Sequence, residues 1–267
     1  MGRSARPKPD AIQCGRNSMP TGVGAIQEKR RKPLTLKQIT LEKASRFIAL
    51  VIGQSGIGKT SLLRTIPDNE PVCVVSAEAG LLCVRDLVES GKVRGFEVNS
   101  FADLADIYSY LTTEGKGIFR WVFVDSLTEI AARCLESLKV KYPDKSHSFQ
   151  LWGEYAEKVV GLIKAYRDMP DFNVIFSCLS TVEKDEMNRR FTGPLMSGSS
   201  VKELLSSLFD EVLYMVSLPD SEGKEHRAFI TQPWTQYPGK DRSGKLALVE
   251  QPHLGVIAQK ILGGAAQ

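Results

Sequence analysis

Hydrophobic positions fall into two rhythms along the chain. The first is the short unbroken run. Phe47–Ile52, Pro71–Ser76, Trp121–Val124 and Phe172–Cys178 are almost wholly apolar and rich in Val, Ile and Phe. Runs of this length and composition predict strands buried on both faces. The second is helical spacing, which predicts helices over Leu81–Glu89, Phe101–Thr112, Leu127–Val140 and Trp152–Met169. Ser100 stands where an N-cap would start the second of these. A short strand is predicted at Arg94–Val98, a short helix at Val201–Leu208 and a closing helix at Val256–Leu262. Glu211–Ser217 and Arg227–Thr231 flank a turn at Pro219–Gly223 and predict a hairpin. Polar stretches at Lys139–Phe149, Thr181–Ser200 and Trp234–Gly244 predict loops. Strands alternating with helices predict an α/β fold. It would be a mostly parallel sheet with helices on both faces and a C-terminal antiparallel hairpin.

Composition narrows this picture. No apolar run reaches the roughly 20 residues that a bilayer span needs, and the N-terminus lacks the apolar core of a signal peptide. The five cysteines (Cys14, Cys73, Cys83, Cys134 and Cys178) are scattered without a C-x-x-C pair. That usage suits thiols in a reducing cytoplasm, and three well-separated histidines argue against a zinc site. The net charge of +4 is uneven: residues 1–45 hold ten Lys/Arg against three Asp/Glu, or +7, which leaves 4 − 7 = −3 for the rest. Residues 1–40, with four prolines and the run Lys29-Arg30-Arg31-Lys32, read as a basic, disordered leader before a domain over 41–267. Such a leader suits electrostatic contact with nucleic acid or serves as a solubilising tail.

The most specific chemistry follows the first apolar run. Gly53-Gln54-Ser55-Gly56-Ile57-Gly58-Lys59-Thr60-Ser61 fits G-x-x-x-x-G-K-[ST] between a strand and a helix start. Glycines let the backbone N–H groups close around phosphate. Lys59 would reach the β- and γ-phosphates and Thr60 would bind Mg²⁺. ATP and Mg²⁺ are thus the expected ligands. Asp125, ending a buried strand, is the second expected Mg²⁺ ligand. Glu78, just beyond the second strand, is the candidate base that orients water, with Glu129 as the alternative. The phosphate loop, Glu78, Asp125 and Ser180 all fall at carboxyl ends of strands, where ligands of open α/β sheets gather. Lys240 and Arg242, two apart in a glycine-flanked loop, read either as a finger of positive charge or as a solvated turn.

Taken together, Gly53–Ser61, Val74-Val75-Ser76-Ala77-Glu78 and Val122-Phe123-Val124-Asp125-Ser126 resemble the core of RecA-like P-loop ATPases. The resemblance implies a catalytic base at Glu78 and the metal-binding Walker B carboxylate at Asp125. Lys240-Asp241-Arg242-Ser243-Gly244 resembles the K-x-R-x-G element of RadA and DnaB-type relatives. There the two cations reach a phosphate bound by the neighbouring subunit, which implies a homo-oligomer, ring or filament, with the ATP site at its interface. Residues 40–250 are similar to phage-encoded AAA/RecA-like nucleotide-binding proteins, which include single-strand annealing recombinases. Many relatives end the fifth strand with Gln, His or Asn, whereas Ser180 and Thr181 stand here.

This resemblance implies a DNA path over the loops at about 139–150 and 181–200. The second loop holds Lys184, Arg189, Arg190 and Phe191, a basic cluster with an aromatic able to stack on a base. It also holds Glu183, Asp185 and Glu186, so a solvated loop is the competing reading. The leading expectation is an ATPase acting on single-stranded DNA in recombination or annealing, with a single-strand-binding protein as a possible partner. A DnaB-type ring motor or loader and an ATP-gated clamp with slow hydrolysis are the alternatives.

Overall fold

The computed structural model describes residues 46–78, 80–185 and 187–263. The basic leader expected over residues 1–40 lies outside them.

Eight strands form the main path of one sheet. They are β1 (Ile48–Gly53), β2 (Val72–Ser76), β3 (Val93–Glu97), β4 (Trp121–Asp125), β5 (Asn173–Lys184), β7 (Glu211–Pro219), β8 (Glu225–Ile230) and β12 (Val249–Glu250). Their order across the sheet is β12-β8-β7-β1-β5-β4-β2-β3. Every pair from β7 through β1 to β3 is parallel, while β7–β8 and β8–β12 are antiparallel. The structure is therefore the predicted mostly parallel α/β sheet closed by an antiparallel hairpin. One strand, β5, separates the phosphate-loop strand β1 from the aspartate strand β4.

Strand alternation divides the core. Ile48, Leu50 and Ile52 face one side, with α3 (Leu127–Lys141) and α4 (Ser148–Arg167), where they meet Ile130, Cys134, Tyr155, Val159 and Ile163. Phe47, Ala49 and Val51 face the other side, toward Leu62, Leu63 and the Leu254, Ile257 and Ala258 face of α6 (Leu254–Leu262). Period-two side chains thus require cover on both faces, and each large one stabilises the fold by roughly 1.5–3 kcal/mol when buried. Two shorter helices, α1 (Arg85–Glu89) and α2 (Asp103–Thr112), lie between β2 and β4 in the chain, and α5 (Ser199–Leu205) precedes β7. Among the described residues no helix is long and apolar enough to cross a membrane.

Five local expectations are corrected. The segment after the phosphate loop is a 3₁₀ turn over Thr60–Thr65, closed by the Ile66 amide on the Leu63 carbonyl. Ile66 turns extended ahead of Pro67, which disfavours the α region for its predecessor. Helix α2 begins at Asp103, because the Ser100 hydroxyl and the Asn99 and Ser100 amides bond the Asp103 carboxylate instead. Helix α4 begins at Ser148, within the stretch expected to be loop. The largest correction concerns Thr181–Ser200. There β5 runs on to Lys184 and pairs antiparallel with β6 (Arg190–Pro194), register Ser180↔Pro194 to Lys184↔Arg190. In the last expected loop, β9 (Pro233–Trp234) pairs with β10 (Tyr237–Pro238), and β11 (Lys240–Asp241) pairs with β7.

Candidate nucleotide site

The site begins where β1 ends. Its last residue, Gly53, stands opposite Leu179 of β5 and Met215 of β7, so the loop leaves from the middle of the sheet's carboxyl edge. Gly56 and Gly58 take φ of 74° and 104°, a left-handed backbone that side chains resist. At Gly58 a Cβ would stand 2.6 Å from Nη1 of Arg227, so even a methyl group would meet that guanidinium.

Lys59 is almost fully buried. Its Nζ donates to the carbonyls of Gly53 and Gln54, at 2.9 Å each. Burial lowers its pKa, and the nearby Asp125 and Glu78 carboxylates counter that only in part. Thr60 Oγ1 donates to Asp125 Oδ2 at 2.7 Å, and Ser177 Oγ donates to Asp125 Oδ1 at 2.5 Å. A carboxylate only 4% exposed is thus surrounded by hydroxyls, with Lys59 as the nearby positive charge. Thr60 and Asp125 together offer the oxygen donors that suit a hard divalent cation such as Mg²⁺.

Glu78 is exposed at the end of β2, and the Ser126 hydroxyl donates to its Oε1. Ser126 also caps α3, accepting the Glu129 amide at 3.4 Å. The Asp125–Ser126 peptide is cis. Glu129 is engaged elsewhere, 3.4 Å from Arg133 Nε. Arg133 in turn donates to the Ala77 carbonyl at 2.9 Å and so steadies the segment that carries Glu78. Thr128 ties α3 to β5 by accepting the Leu179 amide at 2.9 Å. Ser180 and Thr181 line a cavity of about 250 Å³ together with Gln54, Ile57, Tyr214 and Gln236.

Within one chain, then, Gly53–Ser61, Glu78 and Asp125 come together, with Ser180 beside them. Lys240 and Arg242 do not join them. Lys240 pairs with Val212 of β7, and Val212 pairs with Leu50 of β1. That is three residues before Gly53, or roughly 10 Å down the strand from the loop. There Lys240 Nζ donates to the carbonyls of Ser206 at 2.9 Å and Phe209 at 2.7 Å, and Arg242 Nη1 donates to Asp210 at 2.5 Å. Lys184, Arg189 and Arg190 are exposed at the turn end of the β5–β6 hairpin, with Phe191 half-buried beside them. Arg189 is held by Asp185, Nε to Oδ2 at 2.7 Å.

Three residues escaped sequence reasoning. Ser177 left a signal, a lone hydroxyl inside the apolar run Val174–Cys178. Ser126 left the Asp-Ser pair. Arg227 left none, because only the hairpin's register brings it beside Gly58.

No curated protein matches the chain. Among solved structures it is similar to the RadB recombinase, with 15% identity, 73% of this chain and 90% of that chain covered, and a TM-score of 0.41. It is also similar to the flagellar accessory protein FlaH from Methanocaldococcus jannaschii, with 11% identity, 68% and 75% covered, and a TM-score of 0.37. A family model described as an AAA domain matches residues 46–243, a span that takes in the phosphate loop, both carboxylates and both hairpins. The chain belongs to the AAA domain family.

Proposed function

We propose that this protein binds Mg²⁺-ATP, hydrolyses it, and couples the cycle to single-stranded DNA in recombination or strand annealing. One observation carries the reading: Lys59, Thr60, Asp125 and Glu78 converge at the carboxyl edge of the parallel sheet, in the loop after β1 and at the ends of β4 and β2, with β5 between β1 and β4. A bound cation would supply charge neutralisation on the phosphates. Thr60 and Asp125 would hold it, with Ser177 fixing the Asp125 carboxylate. Lys59 would exchange its two carbonyl partners for phosphate oxygens. Glu78, oriented by Ser126, would take a proton from the attacking water as its oxygen bonds the γ-phosphorus and the bridging bond to ADP breaks. Because Glu129 is held by Arg133, Glu78 is the better base of the two.

The DNA part rests on continuity. Ser180 and Thr181 line the cavity beside the phosphate loop, and the same strand runs to the basic tip at Lys184, Arg189 and Arg190. Phe191 offers a ring for a base to stack on. Lys240 and Arg242 lie too far down β7 to serve their own subunit, so a phosphate contact from them would be made to a neighbour in a homo-oligomer.

ATP binding and turnover with and without single-stranded DNA test this. Lys59→Ala should lower ATP affinity about 100-fold. Glu78→Gln should keep binding and slow turnover by about 10²–10⁴. DNA should stimulate the wild type. Phosphate transfer to a small molecule would overturn the reading, and DNA binding with negligible turnover would favour the clamp.

A further inference from the structure

We propose that Arg227 is a phosphate-contacting cation of the nucleotide site, supplied by the same chain as the loop. The inference deepens the nucleotide-binding reading and rests on it. Register places the side chain. In the β7–β8 ladder Phe229 stands opposite Met215, and Met215 stands opposite Gly53 of β1. Arg227, opposite Ser217, is therefore two positions beyond the level at which β1 ends and the loop begins. Strand alternation gives it the face of Phe229, which packs with Leu62 and Leu63 just after the loop. An arginine two residues past that core leans over the glycines, and its Nη1 is 2.6 Å from where a Gly58 Cβ would stand.

Two further facts separate this from an ordinary surface arginine. Among the described residues the Arg227 side chain makes no hydrogen bond or ion pair. Glu225, two residues away on the same face, is instead taken by the Ser217 hydroxyl at 2.5 Å. A guanidinium without a carboxylate therefore rests on the loop that Lys59 also serves. Lys59 is anchored at the loop's beginning, by Gly53 and Gln54, and Arg227 meets its end, at Gly58. A triphosphate in the loop would give Arg227 a planar two-oxygen partner, the geometry arginine favours over lysine.

The test is equilibrium binding of a fluorescent Mg²⁺-ATP analogue, with ADP and adenosine as competitors, to the full chain. Arg227→Ala should weaken ATP about tenfold and leave adenosine unchanged. Arg227→Lys should recover part of the loss. The melting temperature without nucleotide should not move, since the side chain is exposed and bonds nothing. Equal losses for ATP and ADP put the contact on the α- or β-phosphate, and a loss for ATP alone puts it on the γ-phosphate. If Lys59→Ala abolishes binding while Arg227→Ala stays within twofold of wild type, the inference falls and the nucleotide site stands. If neither variant changes binding, both fall.

Discussion

Glu211 opens β7 with its side chain 1% exposed. Its Oε1 accepts the Ser243 amide at 3.3 Å, while Oε2 has no hydrogen-bond partner. Burial, then the nearby Asp241 carboxylate, pushes its pKa up to about 8. Burial would raise Asp241 too, but hydrogen bonds from the Ser243 hydroxyl and the Leu246 and Gly244 amides hold it low. The native state therefore keeps a proton on Glu211 that the unfolded chain sheds above its ordinary 4.5. Fewer protons on the unfolded chain mean that stability falls with rising pH. This contribution is full below about 4.5 and is lost as pH rises through about 8. Glu211→Gln should flatten that decline and stabilise the protein by about 1–3 kcal/mol at pH 8. Thermal melts across the window measure it, and an unchanged slope counts against the assignment.

At the scale of elements, the β5–β6 hairpin decides whether the site reaches beyond the nucleotide. It was also the least legible part of the chain. A buried strand announces itself by unbroken apolar residues, as Phe47–Ile52 does. The outer half of β5 has only Val182 among Thr181, Glu183 and Lys184, and Val182 is 60% exposed. A half-strand that buries none of its residues leaves no periodicity to read. The phosphate loop and the Asp125 strand were legible for the opposite reason: their glycine spacing and apolar run are set by local backbone needs. Arg227 was beyond reach, since its place depends on which strands pair. Replacing residues 185–189 with a two-residue Asn-Gly turn should keep the fold and ATP affinity. It should weaken single-stranded DNA binding about tenfold by removing Arg189 and disturbing its neighbours. Circular dichroism and fluorescence anisotropy together read this out, and unchanged DNA affinity would move the contact off the hairpin.

The whole molecule raises the question of neighbours. The Arg242–Asp210 pair is largely solvent-exposed and contributes under about 1 kcal/mol. Arg242→Ala should therefore melt close to wild type and bind ATP normally, yet lose turnover if its guanidinium completes a neighbour's site. Mixing it with Lys59→Ala protein should restore part of the activity, because the Lys59 variant still carries Arg242. No recovery, with a wild type that stays monomeric in ATP, would sink the shared-site proposal.

One strand gives that proposal a mechanical side. The same edge of β7 carries β11 at Val212 and β8 at Ser217, five residues apart and roughly 16 Å along a continuous extended backbone. Arg227 is attached at the upper level and Lys240 at the lower, with no joint between them. In a head-to-tail assembly the cation over a subunit's own phosphates and the cations offered to the next would ride on one stiff beam. Tilting either end tilts the other, so adjacent sites would be geared together by rotation of whole subunits rather than by flexing within them.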